Sequence, residues 1–304
     1  MRAWTVTIGI GSLGLASAVF VVVRLIERWR VSPTGTPHQL VLLGQTVSYP
    51  AANFAAGVVL ILGVLGVVVL TRAISGAVRE LVASIRFVGR MTACRSTVID
   101  GALVFEDERP LAFCGGLMRP RVYISTGALA MLDEPALQAV LRHEQHHCRS
   151  RDPLRLAAGR VLSRALFFVP GIVTLAREQQ SLAELAADEW AIGDLSQNRS
   201  ALARALLAFS DEDSPGMALG IDGARVDHLL GHPQRWRFPV SLCIGTALLL
   251  ALTVAAAALI SQLASGSASL ALPLLSKRPC VVLLGTLPSA IVWIGLRRAA
   301  RDKA

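Results

Sequence analysis

The chain reads as a mostly helical membrane protein of about four spanning helices that carries one modest α+β domain. Three observations predict this. Apolar residues make up 53% of the 304, and mean hydropathy is +0.55. Only 17% of residues are charged, against roughly 25% in an ordinary soluble domain. The apolar residues are also gathered into uncharged runs that are long enough to cross a bilayer at about 1.5 Å per residue. The formal charge of +9 would suggest a nucleic-acid partner if it were spread evenly. Between positions 73 and 238, however, 19 arginines balance 19 acids, leaving 11 basic residues against Glu27 and Asp302 elsewhere. That excess flanks the apolar runs, which is the placing of membrane anchors, so the lipid bilayer is an expected partner and direct nucleic-acid binding is not. The five cysteines are odd in number and have no C-x-x-C spacing, which suits a reducing compartment and argues against a disulfide framework.

Trp4 to Val23 is an uncharged run that predicts the first span. Only Arg2 precedes it, and it stays apolar past Ala16-Ser17-Ala18, which favours an uncleaved helix over a signal peptide. Positions 24–50, with Pro33, Gly35, Pro37 and Gly44, read as a loop in which His38 is a solvated residue. A second span is expected over 54–70, where Gly57, Gly63 and Gly66 would let another helix approach closely. From Arg72 to Arg90 the pattern turns amphipathic, suiting a helix on the membrane surface or leading into the soluble domain. Short β-like runs follow at 97–99, 102–105, 111–114 and 121–125, separated by turn residues. Pro110 suits the start of an edge strand, so Leu111, Ala112, Phe113, Cys114 and Gly115 are the candidate edge on which an extended peptide could pair; an ordinary covered strand is the other reading.

A helix is predicted over Glu134 to Ser150. Asp133 can cap it, Pro135 is tolerated in its first turn, and Ala136, Val140 and Leu141 give it a buried side; Asp152-Pro153 would stop it. Positions 165–176 are apolar but too few to span, and read as a core helix or a segment dipping into the membrane. Another helix is expected over 199–209. Apolar runs at 240–260 and 280–296, attended by Trp236 and Trp293, predict the third and fourth spans. The division is therefore 1–71, 72–238 and 239–304.

Within the helix at 134–150, His143, Glu144 and His147 spell H-E-x-x-H, which puts the two histidines on one face a turn apart, a spacing that one metal ion can bridge. A shuffle of this composition would yield that pattern on the order of a few times in a thousand. Glu184 follows 37 positions after His147, with Asp188 a turn further on. Glu184 as a third ligand would leave one zinc position open, the arrangement of catalytic zinc, and Asp188 would then orient a ligating imidazole. Ser181 and Glu184 also fit a capping box, which is the competing reading. Arg225 and His228, and His232 with them, are candidates to stabilise an oxyanion; interfacial anchors ahead of a membrane helix are the alternative. Cys148 beside His147 reads as a free buried cysteine.

HEQHHCRSRDPL, followed by FFVPGIVTLAREQQSLAELAADEWA and preceded by CGGLMRPRVYISTGALAMLDEPALQAVLRHE, resembles the M56 membrane metallopeptidases, the group of the β-lactam sensor-transducers, over about 110–230. Two positions depart from that pattern: no histidine precedes Pro170, and Ala187 stands where a cysteine is common. A weaker similarity runs to the M48 membrane peptidases. The resemblance implies a zincin-like (gluzincin) domain facing the cytosol from a multi-pass cell-membrane protein, with Zn2+ held by His143, His147 and Glu184, and Glu144 as general base. It implies a protein substrate cut in an extended segment, a winged-helix transcriptional repressor by analogy with signalling relatives. Two alternatives remain: quality-control proteolysis of the M48 kind, and a non-catalytic receptor or scaffold, which the intact motif disfavours. Neither lysine, Lys277 or Lys303, has a serine three positions before it, and the chain ends eight residues after Leu296. The expectation is that no β-lactam acylates this chain and that a signal arrives through 24–50, the membrane or a partner.

Overall fold

The computed structural model describes residues 2–31, 39–42, 45–48, 54–93, 97–169, 171–193, 196–210, 225, 240–263 and 266–268. Helix α1 covers Arg2–Arg28, followed by strands β1 (Trp29–Val31), β2 (Gln39–Leu42) and β3 (Gln45–Ser48). Helix α2 runs over Phe54–Ala93, and β4 (Thr97–Ile99), β5 (Ala102–Phe105), β6 (Ala112–Gly115) and β7 (Arg121–Ser125) form a sheet. Helices α3 (Thr126–Met131), α4 (Glu134–Ser150), α5 (Asp152–Ala165), α6 (Ile172–Ile192) and α7 (Ser196–Ser210) come next, then α8 (Val240–Leu263) and β8 (Gly266–Ala268). Contacts divide the chain into two compact units: Met1–Trp4, Glu80–Arg160 and Thr174–Phe238 in one, Thr5–Arg79, Val161–Val173 and Pro239–Ala304 in the other.

The second unit carries most of the length of the apolar helices. Three stretches among the described residues are long and apolar enough to cross a membrane: Trp4–Glu27, Gly57–Thr92 and Cys243–Leu263. The segment expected as a fourth span, 280–296, lies outside the described residues, as do His38, Pro170 and Trp236. A Cβ on Gly66 would meet the Ala18 carbonyl at 2.9 Å, and one on Gly63 would run into Leu25. Both glycines therefore allow α1 and α2 to approach, as small residues do between apolar helices. Gly57, expected to do the same, faces open space.

Two readings are corrected and one is narrowed. The span at 54–70 and the amphipathic stretch at 72–90 are one continuous helix of 40 residues, which leaves the second of the two readings for 72–90, a helix leading on from the span. Nothing between Leu70 and Arg72 interrupts its backbone ladder, so a change from all-round apolar to amphipathic composition marks a change of surroundings and not an end. The loop over 24–50 holds the end of α1 and three strands, with β2 and β3 paired antiparallel from Gln39↔Ser48 to Leu42↔Gln45. The run 165–176 is not one core helix: α5 ends at Ala165, and α6 starts at Ile172 after Gly171 at φ +83°. This corner carries Phe167 and Phe168 exposed.

In the first unit the four expected strands form a mixed sheet in the order β4-β5-β7-β6. β5 and β7 run parallel and the two outer pairs antiparallel. One face packs on α4 and α7, burying Val104, Ile124, Val140, Leu141 and Phe209. β6 is an outer strand with β7 as its neighbour. Its place is fixed by aromatic contacts: Phe113 lies 5.6 Å from the Phe87 ring of α2 and stacks at 5.6 Å on Tyr123.

Candidate functional site

Helix α4 starts where the sequence says it should, with the Asp133 carboxylate accepting the Ala136 N–H at 2.9 Å and Pro135 in the first turn. It ends at Arg151, whose φ of 53° is left-handed. That reversal sends the chain into α5 with Asp152 turned back toward the helix it has just left. Pro153 therefore sits in the first turn of α5, where a missing N–H costs nothing. The buried side of α4 carries His143, Glu144 and His147 at 1, 4 and 8% exposure, so three polar groups go into the interior, where each needs a partner.

For the two histidines the partners are carboxylates from two elements, α5 and α6. His147 Nδ1 lies 2.8 Å from Asp152 Oδ2. His143 Nδ1 lies 2.9 Å from Asp188 Oδ1 on α6, a close ion-pair contact whose N–H is angled off the oxygen. With both Nδ1 atoms turned to carboxylates, the two Nε2 atoms face each other at 3.1 Å. Glu184 completes the group, its oxygens 3.4 Å from His143 Nε2 and 3.7 Å from His147 Nε2. One ligand atom from each of the three falls within 4.8 Å of the others. Ligands of tetrahedral zinc at roughly 2.0–2.1 Å from the ion stand about 3.3 Å apart, so these spacings fit a small cation at their centre. The donor set, two imidazoles and one carboxylate, fits zinc as well.

Arg225 organises the carboxylates. Almost wholly buried, it sets Nε and Nη2 on the Asp188 carboxylate at 2.8 and 2.6 Å, a fork-to-fork pair, and places Nη1 3.2 Å from Glu184 without good alignment. Burial would drive the Asp188 carboxyl up, but the close His143 imidazole and the hydrogen bonds from Arg225 outweigh it and hold it below its ordinary value. Glu184 is likewise held low, its burial overcome by His143, His147 and Arg225. Burial alone would lower the His143 imidazolium, yet Asp188 and Glu184 keep its pKa up at about 9. Glu144 differs from its neighbours, because burial pushes its carboxyl up and the nearby imidazoles and the Cys114 amide only partly offset that.

These groups open onto a cleft of about 800 Å³ whose wall includes Glu144, His147, Glu184, Arg225, Phe113 and Cys114. Leu111, expected in the edge strand, precedes β6, and both its backbone groups are engaged by Ser125. By antiparallel alternation Phe113 and Gly115 turn toward β7, leaving the amide groups of Ala112 and Cys114 on the outer side. The Cys114 thiol meets Cys148, and that contact together with burial pushes it above its ordinary range.

His143, Glu144, His147, Glu184, Asp188 and Arg225 thus come together; His228 and His232 lie outside the described residues. Glu184 is no cap, since Ser181 stands well inside α6. Asp152 was missed as a partner of His147, having been read as a helix stop. The signal was there in an acid five positions past the second histidine.

Two buried histidines a turn apart, a carboxylate from a second helix and three helices apolar enough to span a bilayer are the make-up of a membrane metallopeptidase. The family model for BlaR1 peptidase M56 matches residues 28–218, more than half the chain, and the chain belongs to that family. No curated protein matches it.

Proposed function

We propose that this protein is a membrane-embedded zinc endopeptidase in which His143, His147 and Glu184 hold the metal and Glu144 is the general base. The observation that carries the reading is the convergence of both Nε2 atoms and the Glu184 carboxylate, with each Nδ1 turned to its own carboxylate. Zinc, when bound there, supplies Lewis-acid polarisation of a peptide carbonyl and acidifies water toward neutral pH. Asp188 and Asp152 fix the tautomer and orientation of the two rings, and Arg225 holds Asp188 ionised. Glu144, made more basic by burial, takes the proton of the attacking water and hands it to the leaving amine. Arg225 Nη1, buried and without an aligned acceptor, is the donor we assign to the developing oxyanion, with His228 as the second candidate. Of the candidate edge, the outward-facing backbone of Ala112 and Cys114 holds an extended substrate beside Glu144.

The functional division is 1–71, 72–238 and 239–304, with the peptidase domain in the cytoplasm and a cytosolic repressor as substrate. The free thiols of Cys114 and Cys148 and the basic tail support that orientation, and the repressor is taken from the sequence resemblance alone. The test is incubation of the membrane-embedded enzyme with a winged-helix repressor encoded beside it. Wild type should cut it once in an extended linker, and Glu144→Gln should leave it whole. A repressor untouched by wild type, while unfolded membrane proteins are degraded, would overturn the regulatory reading in favour of quality control.

A further inference from the structure

A second hollow, of about 590 Å³, lies in the same unit as the metal-ligand cluster and is lined by Arg121 of β7, Arg142, Gln145 and Arg149 of α4, and Trp190 of α6. Positions 142, 145 and 149 follow the i, i+3, i+7 spacing, so three elements deliver one face of side chains to one place. The three arginines are exposed, and none makes an ion pair with a carboxylate among the described residues. This is unlike Arg160, which forks onto Glu80, or Arg225, which forks onto Asp188. Two neighbours are already ordered: Arg149 lies over the Trp190 ring at 5.3 Å, and the Gln145 amide donates to the Asp100 carbonyl at 3.4 Å. Three cationic side chains thus line one hollow with no described carboxylate to neutralise them, which favours an anion there.

We propose that this hollow is a binding site for a phosphate-class oxyanion, with Arg121, Arg142 and Arg149 as its donors and Trp190 as its wall. A tetrahedral dianion has oxygens enough to take several guanidinium forks at once, whereas one side-chain carboxylate is satisfied by a single fork. The half-exposed Trp190 gives the rest of the ligand an amphipathic surface to lie on. The phosphate can come free in solution or as the headgroup of an anionic phospholipid. The site shares no metal ligand and needs no catalysis.

The test uses the full-length protein in neutral detergent at low salt, with its melting temperature recorded. In one arm inorganic phosphate and pyrophosphate are titrated by calorimetry. In the other, native mass spectrometry counts phosphatidylglycerol retained from a mixture with phosphatidylcholine. One saturable site is expected in at least one arm, the arm naming the source. It should weaken about tenfold in Arg142→Gln, as loss of a charge-assisted hydrogen bond predicts, and be abolished in the Arg121→Gln/Arg142→Gln/Arg149→Gln triple variant. Arg90→Gln, an exposed arginine at the end of α2, should change nothing. No saturable binding in either arm overturns the proposal. So does undiminished binding by the triple variant or, if the triple variant fails to fold, by Arg142→Gln.

Discussion

Helix α4 has two polar sides, and they solve the problem of charge in opposite ways. On one, His143, Glu144 and His147 are buried, and the histidines are each matched to a carboxylate brought from α5 or α6. On the other, Arg142 and Arg149 stand exposed, with no carboxylate partner among the described residues. The difference is one of solvent. A charge taken out of water must be paired or neutralised, so the buried side is built as a closed network. An exposed arginine is hydrated and needs no partner to be tolerated. Geometry on the buried side is therefore fixed by more than the three groups that would touch a metal, whereas the open side is free to accept a ligand from outside.

Substitution on the two sides should differ accordingly. The largest effect is expected for His143→Ala and His147→Ala, which remove a ligand atom and should abolish both zinc retention and proteolysis; metal content by atomic absorption checks the first. Next come Asp188→Ala and Asp152→Ala, which leave the ligands in place but free their rings, and should each weaken zinc by roughly 10- to 100-fold. Asp188→Ala should be the worse, because it also strands the buried Arg225 charge. If zinc affinity is unchanged in both while melting falls, these carboxylates only pack.

The metal-free protein should respond to pH through His143. Zinc must displace a proton held there up to about pH 9, so affinity should rise by about tenfold per pH unit below that value and flatten above it. The sign for stability without metal is the reverse. A histidine whose folded pKa is raised contributes fully below its unfolded value of about 6.5 and loses that contribution as pH passes through the folded one. Chelated protein should therefore melt higher at pH 6 than at pH 9.5, while zinc-loaded protein should not. On the open side, Arg142→Gln should shift stability by no more than about 0.5 kcal/mol in urea unfolding.

Local patterns were legible in the sequence. The spacing of His143, Glu144 and His147, the Asp133 cap and the four short strands depend on residues close along the chain, whereas Pro110 left an edge and a covered strand both open for β6, which is an outer strand. What was not legible depends on reversals and on distance. Asp152 reaches His147 only because Arg151 takes a left-handed turn, which no propensity of arginine announces. Arg225 and Asp188 are 37 residues apart with no shared periodicity. The hollow beside α4 draws on three elements at once. The continuity of α2 was hidden by a change of composition that leaves the backbone untouched.

The account rests most on the separation between holding a metal and moving a proton. The direct measurement is zinc stoichiometry beside peptidase activity in wild type, Glu184→Gln and Glu144→Gln. One zinc per chain should be found in wild type and Glu144→Gln, and a much weakened site in Glu184→Gln, with activity lost in both variants. Equal zinc loss in Glu144→Gln and Glu184→Gln, or full zinc retention in Glu184→Gln, would contradict it.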